Sequence, residues 1–426
     1  MEVNKKKQLF GMFLRMCGVI VASVLAGILL LTAVFALPVS AMQENLARSA
    51  QILSEEGAYH RLYEFCTSNL DNWTDATMLL IASHEGEGTV LERAMTGARD
   101  LLNSNQPVNS LAAKYLEGAE LDRTVGYARY WHGYLLALKP LLLVMDYGGI
   151  RVLNLVIQLM LDCAILILMY KRGMKKLILP YLLTLGFLMP VALGKSMQFS
   201  TCFYAFSLSV LVLLLFKDKW DVRKSCFLFL GIGIFTAFVD FLTYPVAAFG
   251  IPAAVWFMMR PTESVKEGLK RLLDILFSWG LGYGGMWAGK WVAASILTEH
   301  NVIREALSAV LMRVSHDSLS GDNDLSALAA IWKNMKAFLK TPVTAVAFFF
   351  VLVLLILIAY RFLRGGRTGL GFVLPFCVLV LLPFLWYTAT VNHSFIHYFF
   401  TNKSLAVTAF AGLCLLTRVW EQLKSE

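Results

Sequence analysis

Uncharged apolar runs recur along this chain, and each is about 20 residues long, enough for a helix to cross a bilayer core of about 30 Å. Of the 426 residues, 58% are hydrophobic and 16% are charged. Soluble domains carry about 25% charged residues. A chain this apolar cannot keep its surface in water without lipid. The fold class that follows is all-α: a polytopic transmembrane bundle of about ten helices.

The runs place helices at about 16–37, 150–170, 177–194, 200–216, 225–241, 244–259, 272–296, 342–360, 369–388 and 403–417. The first follows Lys5-Lys6-Lys7 and is longer than the apolar core of a secretory signal. Leu37-Pro38-Val39-Ser40 is a poor cleavage site, so residues 1–37 read as an uncleaved first helix. The net charge of +9 is not a nucleic-acid footprint, because the basic residues form short clusters between apolar runs. With the N-terminus inside, 21 of the 38 Lys and Arg fall in short cytoplasmic segments. That bias sets the orientation, and ten spans return the C-terminus to the cytoplasm. The seven cysteines contain no CxxC pair and read as small buried hydrophobes.

The runs divide the chain into an N-terminal helix (1–37), a large extracytoplasmic loop (38–149), a bundle (150–297), a second outer loop (298–341) and C-terminal helices (342–426). The first loop is too long for a bare connector. From 38 to 130 it holds 7 Lys or Arg against 13 Asp or Glu, acidic in a basic protein. Apolar periodicity predicts a helix over Thr89 to Leu102. Tyr127 to Tyr147 predicts an interfacial or re-entrant helix. In the second loop Val302 to Val314 repeats at helical spacing, an amphipathic helix in the interface.

Ionisable groups near the membrane are costly to place, so each is a functional candidate. Asp71 and Asp75 lie four apart, on one face of a helix. Paired carboxylates suit general-base work and leave room for a divalent cation. The structural alternative is an N-cap at Asp71 or Thr74. Arg129 and His132 sit among Tyr127, Tyr130, Trp131 and Tyr134, which suits either an interfacial anchor or a phosphate beside a sugar. Asp240 begins a turn ending in Tyr244-Pro245, and Lys290 lies within a Gly-rich helix. A polar cavity fits both Asp240 and Lys290, with simple snorkelling the alternative for Lys290. Lys195 and Gln198 fill one short outer turn. His393, His397 and Lys403 belong to the last. The two histidines could share a metal, but no third ligand is evident, and hydrogen bonding to sugar or phosphate fits better. In this topology all these groups face the outer side.

These segments, Leu70 to Asp75, Tyr127 to Tyr134, Asp240 to Pro245, Trp287 to Trp291 and Asn392 to Lys403, resemble the GT-C superfamily of membrane glycosyltransferases. The likeness is greatest to bacterial members of the surface-polysaccharide type. It spans most of the chain: one helix, a large outer loop, then a bundle. The resemblance implies a polyprenyl-phosphate sugar donor, a glycan or lipid acceptor, and transfer on the outer face of the cell membrane. It also implies a catalytic carboxylate in the first outer loop, here Asp71 or Asp75. Members often carry an acidic pair close behind the first helix, whereas here Glu44 stands there alone. On this reading Arg129, Lys290 and Lys403 hold phosphate, and His132, Asp240 and His393 orient sugars. A polysaccharide polymerase or ligase, and a transporter or flippase of lipid-linked sugars, are the rival readings.

Overall fold

A computed structural model describes residues 2–64, 66–262, 264–316, 325–340 and 370–425, with 346, 349 and 353. The span expected over 342–360 lies outside these residues. Apart from one two-stranded ribbon, the described elements are helical.

The chain starts with α1 (Glu2–Phe35). A layer of short elements follows: α2 (Gln43–Glu56), α3 (Asn72–Ala82), α4 (Val90–Thr96), β1 (Arg99–Leu101), α5 (Pro107–Tyr115), β2 (Arg123–Val125) and α6 (Leu135–Leu142). Then come α7 (Tyr147–Lys171), α8 (Ile178–Leu188), α9 (Pro190–Lys195), α10 (Met197–Leu215), α11 (Val222–Val239), α12 (Pro245–Met259) and α13 (Val265–Leu297). Next are α14 (Val302–Val314), α15 (Ala327–Leu339), α16 (Leu370–Ala389), α17 (Val391–Ile396), α18 (Tyr398–Thr401) and α19 (Ala406–Ser425).

Among the described residues, six helical segments are long and apolar enough to cross a membrane: Lys7–Phe35, Tyr147–Lys171, Met197–Leu215, Val222–Val239, Gly371–Ala389 and Tyr398–Glu421. They are compatible with a multi-pass membrane protein. Large apolar side chains such as Leu25 and Leu29 on α1, or Val152 and Met160 on α7, point away from the protein. That is how a lipid-facing helix is built.

Two expectations change. The run 177–194 is not one span. It breaks at Met189, whose φ is +59°, between α8 and α9. Pro190 causes the break: it disfavours a helical residue before it and suits the first position of a new helix. Nor is 89–102 one helix. The capping box of Thr89 and Glu92 starts α4, and Gly97 ends it in the left-handed region at φ +54°. The chain leaves as β1, which pairs antiparallel with β2, Asp100 opposite Thr124.

Two large apolar cores result among the described residues, with two small clusters beside them. One gathers residues of α7 to α13, α16 and α19, including Phe203, Phe206, Phe249, Trp256 and Phe410. The other joins the layer to α1, α11 and α13 through Met42, Leu79, Trp131, Leu138 and Met286. The layer is therefore packed into the bundle rather than tethered to it.

Helices α11 and α13 cross at backbone contact. A Cβ at Gly233 would lie 2.2 Å from the Trp279 carbonyl oxygen, and one at Gly282 would lie 2.2 Å from that of Leu230. Small residues at facing positions allow this approach where no hydrophobic force between helices exists. Gly282→Val should therefore destabilise the protein by about 2 kcal/mol or more. Gly280→Val, where a Cβ meets nothing within 4 Å, should change little. Thermal unfolding of both variants in one detergent checks the contrast.

Candidate functional site

Asp71 and Asp75 are both buried. Asp71 is the N-cap of α3: its Oδ1 accepts from the Thr74 N–H at 3.1 Å, and its Oδ2 from the Thr74 hydroxyl at 2.9 Å. Asp75 lies one turn on. Its Oδ1 accepts from the Gln198 N–H at 3.1 Å and the Ser196 hydroxyl at 3.4 Å. Ser196 holds the N-cap position of α10 but makes no cap hydrogen bond itself. Asp75 therefore caps α10 from a distant part of the chain, with its charge at the positive end of that helix. The Tyr147 hydroxyl also acts on this carboxylate.

Burial pushes the Asp71 carboxyl up to about 7, the Asp75 charge adds to this, and the Thr74 donors oppose it. Burial pushes Asp75 up to about 6, against the pull of Arg151, the Tyr147 hydroxyl, Gln198 and Ser196. Two interacting carboxyls titrate as a pair, and one is readily protonated near neutral pH.

Arg151, at the head of α7, was not singled out from sequence. It donates from Nη1 to Glu56 at 2.9 Å and from Nη2 to Asn72 Oδ1 at 2.8 Å, and it lies 4.7 Å over the Tyr147 ring. Asn72 in turn donates to Glu56 Oε2 at 2.9 Å. A lone Arg opening an apolar run was the available signal. Lys403 is buried nearby in the fold's interior, donating to the Thr67 carbonyl at 3.0 Å and lying 4.7 Å over Phe199. Lys195, half-buried at the end of α9, makes no hydrogen bond or ion pair among the described residues.

From the cap of α10 a polar path leads elsewhere. The Thr201 hydroxyl lies 2.8 Å from the Gln198 carbonyl and 3.0 Å from Asp240 Oδ1. Asp240 ends α11, and its Oδ2 accepts from the Thr243 N–H at 2.9 Å. This holds a tight turn in which Leu242 takes φ +67°. His393 Nε2 donates to the Leu242 carbonyl at 2.9 Å, while its Nδ1 accepts from Arg313 at 2.7 Å. Burial first, and then Arg313, hold His393 well below the usual histidine range. A neutral ring protonated at Nε2 satisfies both contacts. Arg313 also donates to the Tyr130 hydroxyl at 2.7 Å. His397 stacks on Phe400 at 5.1 Å and is pushed down to about 4 by burial and Arg313. No three His, Cys, Asp or Glu side chains converge on a metal position among the described residues.

Arg313 opens onto a cavity of about 340 Å³ between the 129–130 segment and α13, α14 and α16. Its walls include Tyr130, Tyr283, Trp287, Trp291 and Trp386, with Arg129 as the second cation. Arg129 pairs with Glu305 at 2.8 Å and lies 4.6 Å over the Tyr127 ring. Among the described residues, Arg129 Nε, the Tyr283 hydroxyl and Trp287 Nε1 are buried without hydrogen-bond partners. Such atoms are costly unless a ligand or water meets them. Two guanidinium groups, unpartnered donors and flat aromatic walls can hold a phosphate and a sugar face together.

His132 and Lys290 lie away from this cavity's lining. His132 is buried at φ +58°, with Nε2 2.9 Å from the Tyr127 carbonyl and Nδ1 3.2 Å from the Tyr134 hydroxyl. Burial and neighbouring cations push it down to about 3. Lys290 donates to the Met95 carbonyl at 2.7 Å and lies 5.5 Å over Trp131, which pins α13 to α4. The structure thus links Asp75, Asp240 and His393 in one path and sets Arg129 at its cavity. Lys403 is held by other contacts, and Lys195 lies off the path.

No family model, curated protein or solved structure matches the chain.

The raised Asp71 carboxyl has a signed consequence. The folded state binds the proton more tightly than the unfolded state, so this group's contribution is most favourable at low pH. It is lost as pH rises from the unfolded value of 3.8 through about 7. Asp71→Asn should therefore lose less thermal stability than wild type between about pH 4.5 and 7.5. Equal losses would mean that Asp71 stays ionised throughout.

Proposed function

We propose that the protein is an integral membrane glycosyltransferase of the cell envelope. It moves a sugar from a polyprenyl-phosphate donor to a glycan or lipid acceptor on the outer face, with both termini in the cytoplasm. The observation that carries this reading is the cavity with Arg129 and Arg313 among aromatic walls. A lipid-linked sugar phosphate has three parts, and the cavity suits each. Apolar walls along α13 and α14 take isoprenoid. The guanidinium groups take phosphate oxygens in forked hydrogen bonds. Tyr130, Trp287 and Trp291 offer ring faces to a sugar.

In the reaction the acceptor hydroxyl attacks the anomeric carbon and the bond to the phosphate oxygen breaks. Polyprenyl phosphate leaves with the electron pair, stabilised by the arginines. The hydroxyl proton passes to a carboxylate. Asp71, poised near 7, suits a base that works at neutral pH. Asp75, beside the Tyr147 hydroxyl, is the other candidate. Both are buried and neither lines the cavity, so on this reading substrate entry must open the layer around α3 and bring a carboxylate to the acceptor hydroxyl.

One observation favours a second reading, the polymerase or ligase. Arg313 and His393 are in direct contact at the cavity, and that chemistry relies on Arg and His rather than on carboxylates. Transport gains no comparable support, because Asp240 and Lys290 are spent on internal hydrogen bonds.

Purified protein in nanodiscs with a radiolabelled lipid-linked sugar tests these readings. Arg313→Ala and Arg129→Ala should each raise the donor KM by about 10- to 100-fold. Asp71→Asn or Asp75→Asn should lower kcat by about 10²- to 10⁴-fold. Full activity in both Asp variants, with loss in Arg313→Ala and His393→Ala, would assign the chemistry to the second reading. Unchanged donor KM in both Arg variants would remove the cavity from the mechanism.

A further inference from the structure

The layer carries a second concavity, a polar groove of about 650 Å³ reached from α3, α4 and β1. Nothing in the proposed reaction uses it. At its floor His84 is only 7% exposed. Its Nδ1 lies 3.1 Å from the Asp100 carboxylate. Asp100 is fixed from two further sides, by the Thr124 hydroxyl at 2.8 Å and Lys114 Nζ at 3.2 Å. The β1–β2 pairing sets Thr124 opposite it.

A carboxylate at Nδ1 keeps the proton on that nitrogen and leaves Nε2 as an acceptor. His84 Nε2 makes no hydrogen bond among the described residues, and the ring lines the groove. Gly86 makes space for it: a Cβ there would lie 2.3 Å from Nε2. The histidine is thus buried, oriented and left open on one atom.

The rim decides the class of ligand. Glu85, Glu87 and Glu92 line it together with Arg93 and Lys114. Arg93 Nε is buried without a partner. Three carboxylates disfavour a phosphate. An isoprenoid would leave these polar groups unpaired. A divalent cation needs three converging ligands, which the described residues do not bring together. Alternating donors and acceptors suit a ligand that offers both on neighbouring atoms, as adjacent sugar hydroxyls do.

We propose that this groove binds an oligosaccharide, with His84 Nε2 accepting a sugar hydroxyl and the rim carboxylates and Arg93 holding its neighbours. This deepens the transferase reading, on which it rests only for what the glycan is for: the acceptor is then a chain of several sugars, held away from the reacting end.

Full-length protein in nanodiscs is passed over a broad array of immobilised oligosaccharides, and the best binder is titrated calorimetrically. Wild type should bind at least one. His84→Ala should weaken that binding by about tenfold or more. Glu87→Gln, at an exposed rim position, should weaken it several-fold with no change in unfolding temperature. That second variant decides the matter if His84→Ala fails to fold. No oligosaccharide bound by wild type, or equal affinity in Glu87→Gln and His84→Ala, overturns the proposal. So does displacement of the glycan by millimolar inorganic phosphate, which would make the groove an anion site. Binding is read without donor or turnover, so it can fail while lipid-linked transfer stands, and the reverse.

Discussion

The first turn of α10 is buried, and its backbone N–H groups have no partners within their own helix. In a membrane protein such groups must be met by protein atoms. Asp75 meets the Gln198 N–H from α3 and also accepts from the Ser196 hydroxyl, while the Tyr147 hydroxyl meets the Met197 N–H. Much else is arranged around this contact. It fixes the layer to the bundle, and it draws Arg151, Glu56 and Asn72 into one hydrogen-bonded group beside it. Three residues along α10, Thr201 reaches Asp240, and from there the path runs to Arg313. The carboxylate that caps a helix is thus also the start of the polar route to the cavity.

Structural and chemical roles overlap at these residues. Asp71 caps α3 with both oxygens, as the capping alternative expected, and burial still raises its carboxyl toward neutrality. A cap and a general base are different uses of one lone pair, and a substrate hydroxyl must compete with Thr74 for it. Lys290 and His132 show the other extreme. Their hydrogen bonds are made to backbone carbonyls of the layer, so their burial serves docking.

The all-helical membrane class was legible because apolar run length is a one-dimensional property. Val302 to Val314 was legible for a similar reason, since a period of 3.6 needs no partner. The break at Met189 was also readable, because Pro190 stands beside it, but the apolar run on both sides masked it. What stayed hidden is long-range pairing. Nothing local in Ser196-Met197-Gln198 names Asp75 as its cap. Arg313 is one of several basic residues in its loop, and only its contacts with His393 and Tyr130 give it a place. His84 and Asp100 drew no notice, because they come together through a helix, a left-handed glycine and a short ribbon.

Helix α7 carries Arg151, Asn154, Gln158 and Asp162 at intervals of three and four, all buried along one stripe of an otherwise lipid-facing segment. Asn154 and Gln158 bond Ser200, and Asp162 accepts from Tyr181. These partners are synthesised later, Ser200 by 46 residues after Asn154. Arg151 has its partners Glu56 and Asn72 already synthesised, but a nascent α7 would expose three costly side chains, Asn154, Gln158 and Asp162. Biogenesis is therefore constrained in time: the cost of these three in lipid is relieved only once α8 and α10 have emerged to cover them. The segment from α7 to α10 must enter the bilayer as one cooperative unit, and a pause in translation between them is the moment at which this protein is most exposed to misassembly.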